Sequence, residues 1–323
     1  LGCTETFTRS ISAILMPDPK VSIVIVTFNS RPELLACLKS CEGIRYINYE
    51  IIIIENGSRE ALDLHEVKNL STHVRTILKS PVNLGYPRAA NLGLKNALAH
   101  GADYVLLLND DSEVAPDFLG VLVKVGEDMP DVGALGPKIY YFAEPQKVWF
   151  AGGWFNRQTY AVTVPASEWL AQRGESVPVE FDYLTGCCLL VKKKVIETIG
   201  LFDERFYLYW EDTDWILRMT EVGYKLVLVP WAHIWHKISV SVGGPDSPMK
   251  AYHKTRSHLF FAQLHAPHAL LVLQWGIMRD IAWLLVKSRQ PDRLRKARAY
   301  AAAIKDFYRR STGKGPDWLW QQR

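Results

Sequence analysis

The chain has 323 residues, 48% of them hydrophobic and 22% charged, which exceeds one average domain and excludes a disordered or fibrous chain. The formal charge of +4 is mild, but Arg289-Gln-Pro-Asp-Arg-Leu-Arg-Lys-Ala-Arg298 and Tyr308-Arg-Arg310 make the C-terminal end strongly basic. Such an end suits an anionic surface, membrane or nucleic acid, or is no more than a solvated helix face.

The five cysteines are Cys3, Cys37, Cys41, Cys187 and Cys188. Their number is odd and no CxxC pair occurs, so reduced thiols in a cytosolic setting are expected. Residues 1–20 lack a basic stretch followed by an apolar one and read as a loose extension, not a signal peptide. The most apolar late segment, Ala269–Met278, is cut short by Arg279-Asp280, so no transmembrane helix is expected.

In chain order, Val21–Thr27 is a β-branched run that predicts a buried strand ending at Phe28-Asn29-Ser30. Ser30 then caps a helix with Pro32 in its first turn and Leu34, Leu35 and Leu38 at helical spacing. Tyr49–Ile54 is a second strand, stopped at Glu55-Asn56-Gly57-Ser58, and Val74–Leu78 a third. Arg88–His100 predicts a helix closed by Gly101. Tyr104-Val-Leu-Leu-Leu-Asn109 predicts a fourth strand, buried on both faces and ending in Asn109-Asp110-Asp111. Strand and helix in steady alternation argue for an α/β, doubly wound, mostly parallel sheet with helices on both faces.

Beyond Pro116 the pattern predicts a helix to about Asp128, a strand over Val132–Ile139, and an irregular aromatic region from Tyr140 to Glu180. Phe181–Val191 reads as a strand interrupted at Thr185-Gly186-Cys187-Cys188, Lys192–Ile199 as a short helix, Glu211–Val222 as a helix, and Tyr224–Val229 as a strand. From Lys250 onward the pattern changes to long amphipathic helices. The division is therefore an extension (1–20), an α/β domain (21–249) and a C-terminal amphipathic helical region (250–323).

The strand ends carry the chemistry. Carboxylates at the end of a buried parallel strand repel one another and resist desolvation, so Asp110 and Asp111 suit a hard metal ion. Alternatively, Asp111 or Ser112 caps the helix that Pro116 opens. Asn29, Glu55, Asn56 and Asn109 end neighbouring strands and would converge along one sheet edge, where α/β folds bind ligands. Glu55 could accept from a base imide or a ribose hydroxyl. Asn83, Gly85 and Arg88 precede and open a helix, a position that favours phosphate. Singly, each could be a turn or cap. No GxGxxG follows the first strand and no GxxxxGK[ST] occurs, which removes the dinucleotide and P-loop readings.

A second acidic cluster is Tyr209-Trp-Glu211-Asp212-Thr-Asp214-Trp215. Asp214 can pair with Arg218 one turn later. Asp212 shares a stripe with Trp215, Met219 and Val222, and either complements the helix dipole or acts as a base on a hydroxyl. His233 and His236 could share one face of a turn. His233 reads as structural. His236, before the loop Ser239–Gly244, could complete a metal shell begun by Asp111.

In this order the motifs Val21–Asn29, Ile54-Glu-Asn-Gly-Ser58, Asn83-Leu-Gly85 with Arg88 and Asn91, Asn109-Asp-Asp111, Gly200-Leu-Phe-Asp203 and Glu211-Asp-Thr-Asp214 resemble the family 2 inverting glycosyltransferases with a GT-A fold, especially their rhamnosyltransferase-like branch. The resemblance runs from about Val21 to Gly244. It implies that Thr27, Asn29, Glu55, Asn56, Asn83, Gly85, Arg88, Asn91, Asn109 and Asp110 bind a nucleoside-diphosphate sugar. Glu55 stands where many relatives carry aspartate. The resemblance makes Asp111 and His236 ligands of Mg²⁺ or Mn²⁺, and Asp212 the catalytic base. Asn109 replaces the first aspartate of the usual acidic triplet. On the acceptor side it implies Thr185, Gly186, Trp210 and Glu211.

The implied partners are the donor and a saccharide or lipid-linked saccharide acceptor in cell-surface glycan synthesis, with no nucleic acid. The C-terminal region would touch the cytoplasmic face of a membrane peripherally, or else cover the core or join a homo-oligomer. Rival readings are a sugar-nucleotide nucleotidyltransferase, which would need a Gly-rich basic loop that Phe28-Asn29-Ser30-Arg31 lacks, and a non-catalytic homologue.

Overall fold

The computed structural model describes residues 18–156, 161–165, 176–238 and 247–320. Cys3, the loop Ser239–Gly244 and residues 1–17 of the expected extension lie outside the described residues. The last of that extension is anchored: the Lys20 carbonyl accepts from the backbone N–H groups of Asp103 and Tyr104.

The core is a sheet whose central strands, Val21–Thr27, Tyr49–Asn56 and Tyr104–Asn109, have no polar face. β1 (Val21–Thr27), β2 (Tyr49–Asn56), β3 (Val74–Ser80) and β4 (Tyr104–Asn109) are parallel neighbours in the order β4-β1-β2-β3. Ile51–Ile54 and Val105–Leu108 are almost wholly buried, each such side chain contributing about 1.5–3 kcal/mol relative to exposure. α1 (Arg31–Cys41) buries Leu34, Cys37, Leu38 and Cys41 on one face. Ser30 sits at its N-cap, but its hydroxyl bonds to Glu33, not to the helix backbone. α2 (Leu64–Leu70), capped by the Asp63 side chain, is a helix that the periodicity does not announce. α3 (Tyr86–Ala99) begins two residues earlier than expected and lies close on the sheet, because Gly93 leaves room for Val24.

The parallel pattern breaks beyond β4. β5 (Ser112–Val114) follows the acidic end, and α4 (Phe118–Asp128) starts only at Phe118. The alternative of a helix cap at Asp111 or Ser112 is therefore overturned, since Ser112 opens a strand. β6 (Val132–Tyr141) is longer than expected, and β7 (Val148–Phe150), β8 (Trp154–Phe155), β9 (Val162–Thr163) and β10 (Val179–Phe181) give structure to the aromatic region. The expected strand over Phe181–Val191 is two: β10, and β11 (Cys188–Lys192) after a loop. β11 runs antiparallel between β4 and β6. α5 (Lys193–Ile199) follows, then α6 (Glu211–Glu221) and β12 (Lys225–His236). β12 pairs in parallel with β6, completing the order β10-β12-β6-β11-β4-β1-β2-β3.

Because β12 runs to His236, the two histidines are in a strand, not on one face of a turn, and their spacing of three sends them to opposite faces. Val222, expected on the buried stripe of α6, lies past the helix end and is exposed. Asp214 does pair with Arg218, whose guanidinium also donates to the carbonyls of Ile199 and Leu201.

α7 (Pro248–His265), α8 (Leu270–Val286) and α9 (Arg293–Tyr308) pack on this core through Leu217, Phe206, Phe261, Ile277 and Phe307. Arg279-Asp280 does not interrupt α8. With the 3₁₀ turn Pro267–Ala269 it forms a helix of 20 residues, long and apolar enough by length and composition to cross a membrane, so the apolar segment is longer than expected. One such helix is weak support for a span. Only 11% of its apolar window is buried.

Candidate active site

The carboxyl ends of β1, β2 and β4 meet along one edge, with Thr27 in register with Glu55 and Val26 with Asn109. Against that edge lies a cavity of about 200 Å³, lined by Ser30, Asn56, Asn83, Gly85, Tyr86, Asn109, Asp110, Asp111, Tyr207 and Trp320 among others. Asp110 is buried beside the hydroxyls of Thr27 and Ser30, which favour its charged form. Burial nevertheless dominates, and with help from Asp111 pushes its carboxyl up to about 7. Two adjacent carboxylates in this setting favour a cation or a shared proton.

Asn56 organises the second wall. It accepts from the Leu84 N–H at 2.9 Å and donates to Asn83 Oδ1 at 3.2 Å, while Asn83 Oδ1 also takes the Gly85 N–H at 2.9 Å. Gly85 is required here on two counts. Its φ of 83° is left-handed, and a Cβ would come within 2.6 Å of the Tyr207 ring and carbonyl. Asn29 is also left-handed (φ 53°). Its side chain accepts from the Arg59 N–H at 2.9 Å and its own N–H donates to Ser58, so it ties the β1 and β2 ends together.

Thr27, Asn29, Glu55, Arg88 and Asn91, all expected on the donor side, do not line this cavity. Glu55 is buried beside Lys79 (3.5 Å) and accepts from the Leu62 N–H. Arg88 is exposed and faces Glu204 at 3.5 Å. Asn91 is buried and clamps the Gly200-Leu-Phe-Asp203 loop, exchanging hydrogen bonds of 3.0 Å with the Phe202 backbone in both directions.

Asp111 and His236 meet between β4 and β12, with Nε2 3.0 Å from Oδ1. Burial opposes charge on the imidazole, but the Cys187 sulfur and the Asp111 carboxylate outweigh it and push the ring up to about 10. His236 is packed against Trp149, and its Nδ1 is buried with no hydrogen-bond partner. Among the described residues no three His, Cys, Asp or Glu side chains converge as a preformed metal cage. A carboxylate and an imidazole held together still suit a divalent ion that draws its other ligands from phosphate and water.

Asp212 stands in the first turn of α6. Its Oδ2 accepts from Tyr183 Oη and the Gly186 N–H, each at 3.1 Å, and its Oδ1 from the Thr213 N–H at 2.7 Å and hydroxyl at 3.3 Å. Four donors and no acceptor make a cradle for an anion. The turn before it is strained: Tyr209 and Trp210 have φ of 68° and 70°, rare for large side chains. Trp210 is held there by stacking on His258, with ring centroids 4.0 Å apart. Glu211 is buried with its Oε2 unpartnered, and burial together with Asp212 pushes its carboxyl up to about 8.

Asp212, Tyr209, Trp210 and Tyr183 line a second cavity of about 530 Å³, whose far wall is Lys254 and His258 of α7, Gly276, Ile277 and Asp280 of α8, and Tyr300 of α9. Thr185 supports the same loop, accepting from the Cys187 N–H at 3.3 Å. Cys37, Cys41, Cys187 and Cys188 are free and buried. Sequence reasoning missed Tyr183, Tyr207, Lys254, His258 and Trp320. No local pattern marks them, because each acquires its place from an element remote in the chain.

The model of Glycosyl transferase family 2 matches residues 22–200. The chain belongs to that family. The N-acetylglucosaminyl-diphospho-decaprenol L-rhamnosyltransferase of Mycobacterium tuberculosis is 28% identical over 280 residues, covering 80% of this glycosyltransferase and 90% of the relative. The dTDP-rhamnosyl transferase RfbF of Shigella flexneri is 22% identical over 311 residues, covering 92% and 98%. Among solved structures, GalNAc-T7 with UDP, GalNAc and Mn²⁺ superposes with a TM-score of 0.62 at 16% identity, over 90% of this chain and 55% of that one. Staphylococcus aureus TarS gives 0.56 at 14% identity, over 93% and 50%. The fold is GT-A, and the enzyme is a rhamnosyltransferase-like family 2 glycosyltransferase acting in glycan synthesis.

Proposed function

We propose that this glycosyltransferase moves a sugar, with inversion and with a divalent metal, from a nucleoside diphosphate to a hydroxyl of a lipid-linked saccharide. The observation that carries the reading is the separation of charge between two cavities. Asp110 and Asp111 border the smaller one at the strand ends, and Asp212, cradled by four donors, faces the larger one under α7 and α8.

In this reading the donor diphosphate lies against the Asn83–Gly85 turn and the Asp110–Asp111 end of β4. Asp111 and His236 would hold Mg²⁺ or Mn²⁺, which would neutralise charge developing on the leaving diphosphate. Asp212 takes the proton from the acceptor hydroxyl. That oxygen bonds to the anomeric carbon on the face opposite the diphosphate, the carbon–oxygen bond to phosphate breaks, and a single displacement inverts the centre. Tyr183 and Gly186 keep Asp212 aimed at the cavity.

The rhamnosyltransferase names of the Mycobacterium and Shigella relatives make dTDP-rhamnose the first donor to test. A lipid-linked acceptor is supported by α8. One face lines the Asp212 cavity through Gly276, Ile277 and Asp280, while the other exposes Leu271, Val272, Trp275 and Val286, with the basic run from Arg289 just beyond. Apolar and aromatic exposure beside clustered cations suits contact with an anionic bilayer surface on the cytoplasmic side.

A thermal-shift screen of dTDP-rhamnose, UDP-sugars and GDP-sugars, each with and without Mn²⁺, tests the reading directly. A metal-dependent shift with one donor class, followed by an inverted anomeric product by NMR, is expected. No shift with any nucleotide sugar, or a retained anomer, would sink it.

A further inference from the structure

The segment after α9, residues 309–320, turns back onto the core. Arg310 and Gly313 take left-handed φ of 53° and 88°, and the chain then crosses α7. Arg256, almost wholly buried on α7, donates to the Gly313 carbonyl and, at 2.8 Å, to Tyr252 Oη. Gly315 lies flat on the Tyr252 ring, where any Cβ would overlap it. Leu319 is buried with Tyr252, Ala299 and Ala303, and Trp318 lies 4.3 Å beneath the Arg298 guanidinium. A segment fixed by this many contacts is ordered before any ligand arrives, which lowers the entropy cost of binding.

What the segment delivers is Trp320. Its indole N–H donates to the Lys314 carbonyl at 2.9 Å, and its ring meets Phe28 and Tyr207 edge-on at 6.3 and 6.2 Å. Trp320, Phe28, Asn83 and Tyr207 border the 200 Å³ cavity that holds Asp110 and Asp111. The same four residues border a neighbouring cavity of about 590 Å³, which also reaches Asn29 and Arg59. The smaller space alone is below the size of a typical small-molecule site, and the neighbouring one is within it.

We propose that Trp320 is a donor-binding residue: the nucleoside lies in the larger cavity with its base or ribose against the Trp320 and Phe28 rings, and the diphosphate extends toward Asp110 and Asp111. The inference rests on the donor reading above and adds to it a wall contributed from beyond the matched family region. Aromatic faces stack any base, so the wall provides affinity, and discrimination among bases falls to the polar groups around Asn29 and Arg59.

The test measures calorimetric binding of dTDP, UDP, GDP and inorganic pyrophosphate, each with Mn²⁺, to the wild type, Trp320→Ala, Trp320→Phe and Trp318→Ala. Expected for Trp320→Ala is about a tenfold loss for the nucleotide that the wild type binds, with pyrophosphate unchanged. Trp320→Phe keeps most of the affinity, and Trp318→Ala, which removes one anchor of the segment, costs less than Trp320→Ala does. In turnover, Trp320→Ala raises the donor KM with kcat nearly constant. Wild-type affinity in a folded Trp320→Ala overturns the inference, as does an equal loss of pyrophosphate, which would mark a collapsed segment. If the wild type binds no nucleotide at all, the donor reading fails first and takes this one with it.

Discussion

The Gly186 N–H donates to Asp212 Oδ2 at 3.1 Å, and a Cβ built on Gly186 would lie only 3.1 Å from the Asp212 Cβ. The smallness of residue 186 therefore serves the approach of the carboxylate itself. Gly186→Ala is expected to push Asp212 by a few tenths of an ångström and lower kcat about tenfold, with donor KM unchanged. A variant with unchanged kcat would show that the contact is not under tension.

Asp212→Asn keeps the shape and removes the base. Transfer should fall by about 10²–10⁴, while calorimetric affinity for the donor nucleotide stays within twofold of wild type. Transfer at near wild-type rate would remove Asp212 from the chemistry.

Asp111 and His236 form a pair that either a proton or a metal can bridge. Asp111→Ala and His236→Ala should each abolish the difference in nucleoside diphosphate affinity measured with and without Mn²⁺, a loss of roughly tenfold or more. Metal dependence that survives both substitutions would place the ion elsewhere.

Glu211 gives a pH signature. Its carboxyl sits at about 8 because it is buried beside Asp212, so the unfolded chain gives up this proton at lower pH than the native one. Stability from this group is complete below the ordinary carboxylate range, declines as pH rises toward 8, and stays low above it. Glu211→Gln should flatten that decline and be more stable than wild type at pH 9 by on the order of 1–3 kcal/mol. Parallel stability curves for the two proteins would contradict the assignment.

The outer face of α8 is open to a vesicle assay. Wild-type enzyme should sediment with vesicles containing anionic lipid, and a Leu271→Ser, Trp275→Ser double variant should do so about tenfold more weakly. Neither residue lines the Asp212 cavity, so transfer to a water-soluble acceptor should persist. Equal sedimentation of both proteins, or dimerisation through this face in their place, would discard membrane contact.

How much of this was legible in the sequence depended on range. The parallel strands announced themselves because runs such as Ile51–Ile54 have no polar face to hide. The convergence of Asn29, Asn56 and Asn109 followed from strand direction alone. β11 could not be read that way, since apolar runs look alike in either direction and only pairing with β4 and β6 reveals its reversal. β12 was cut short because Pro230 and the His-Trp alternation beyond it resemble a loop, yet pairing with β5 and β6 carries the strand to His236. The partners that the fold gives Arg88 and Asn91, Glu204 and the Phe202 backbone, lie more than a hundred residues away and leave no local trace. Arg279-Asp280 seemed to end an apolar stretch, but at the helix surface two charges reach water without breaking it.

The reversed strand β11 also brings the edges of the two cavities together. Because it runs against β4, the residues just before it sit beside the residues just after β4, and the Asn109 N–H donates to the Cys187 carbonyl at 2.9 Å. One peptide away, the Gly186 N–H bonds to Asp212, the proposed base. On the proposed reading the donor-side strand end and the loop that holds this carboxylate share one backbone ladder, so donor-first binding is the expected order, and product-inhibition patterns check it.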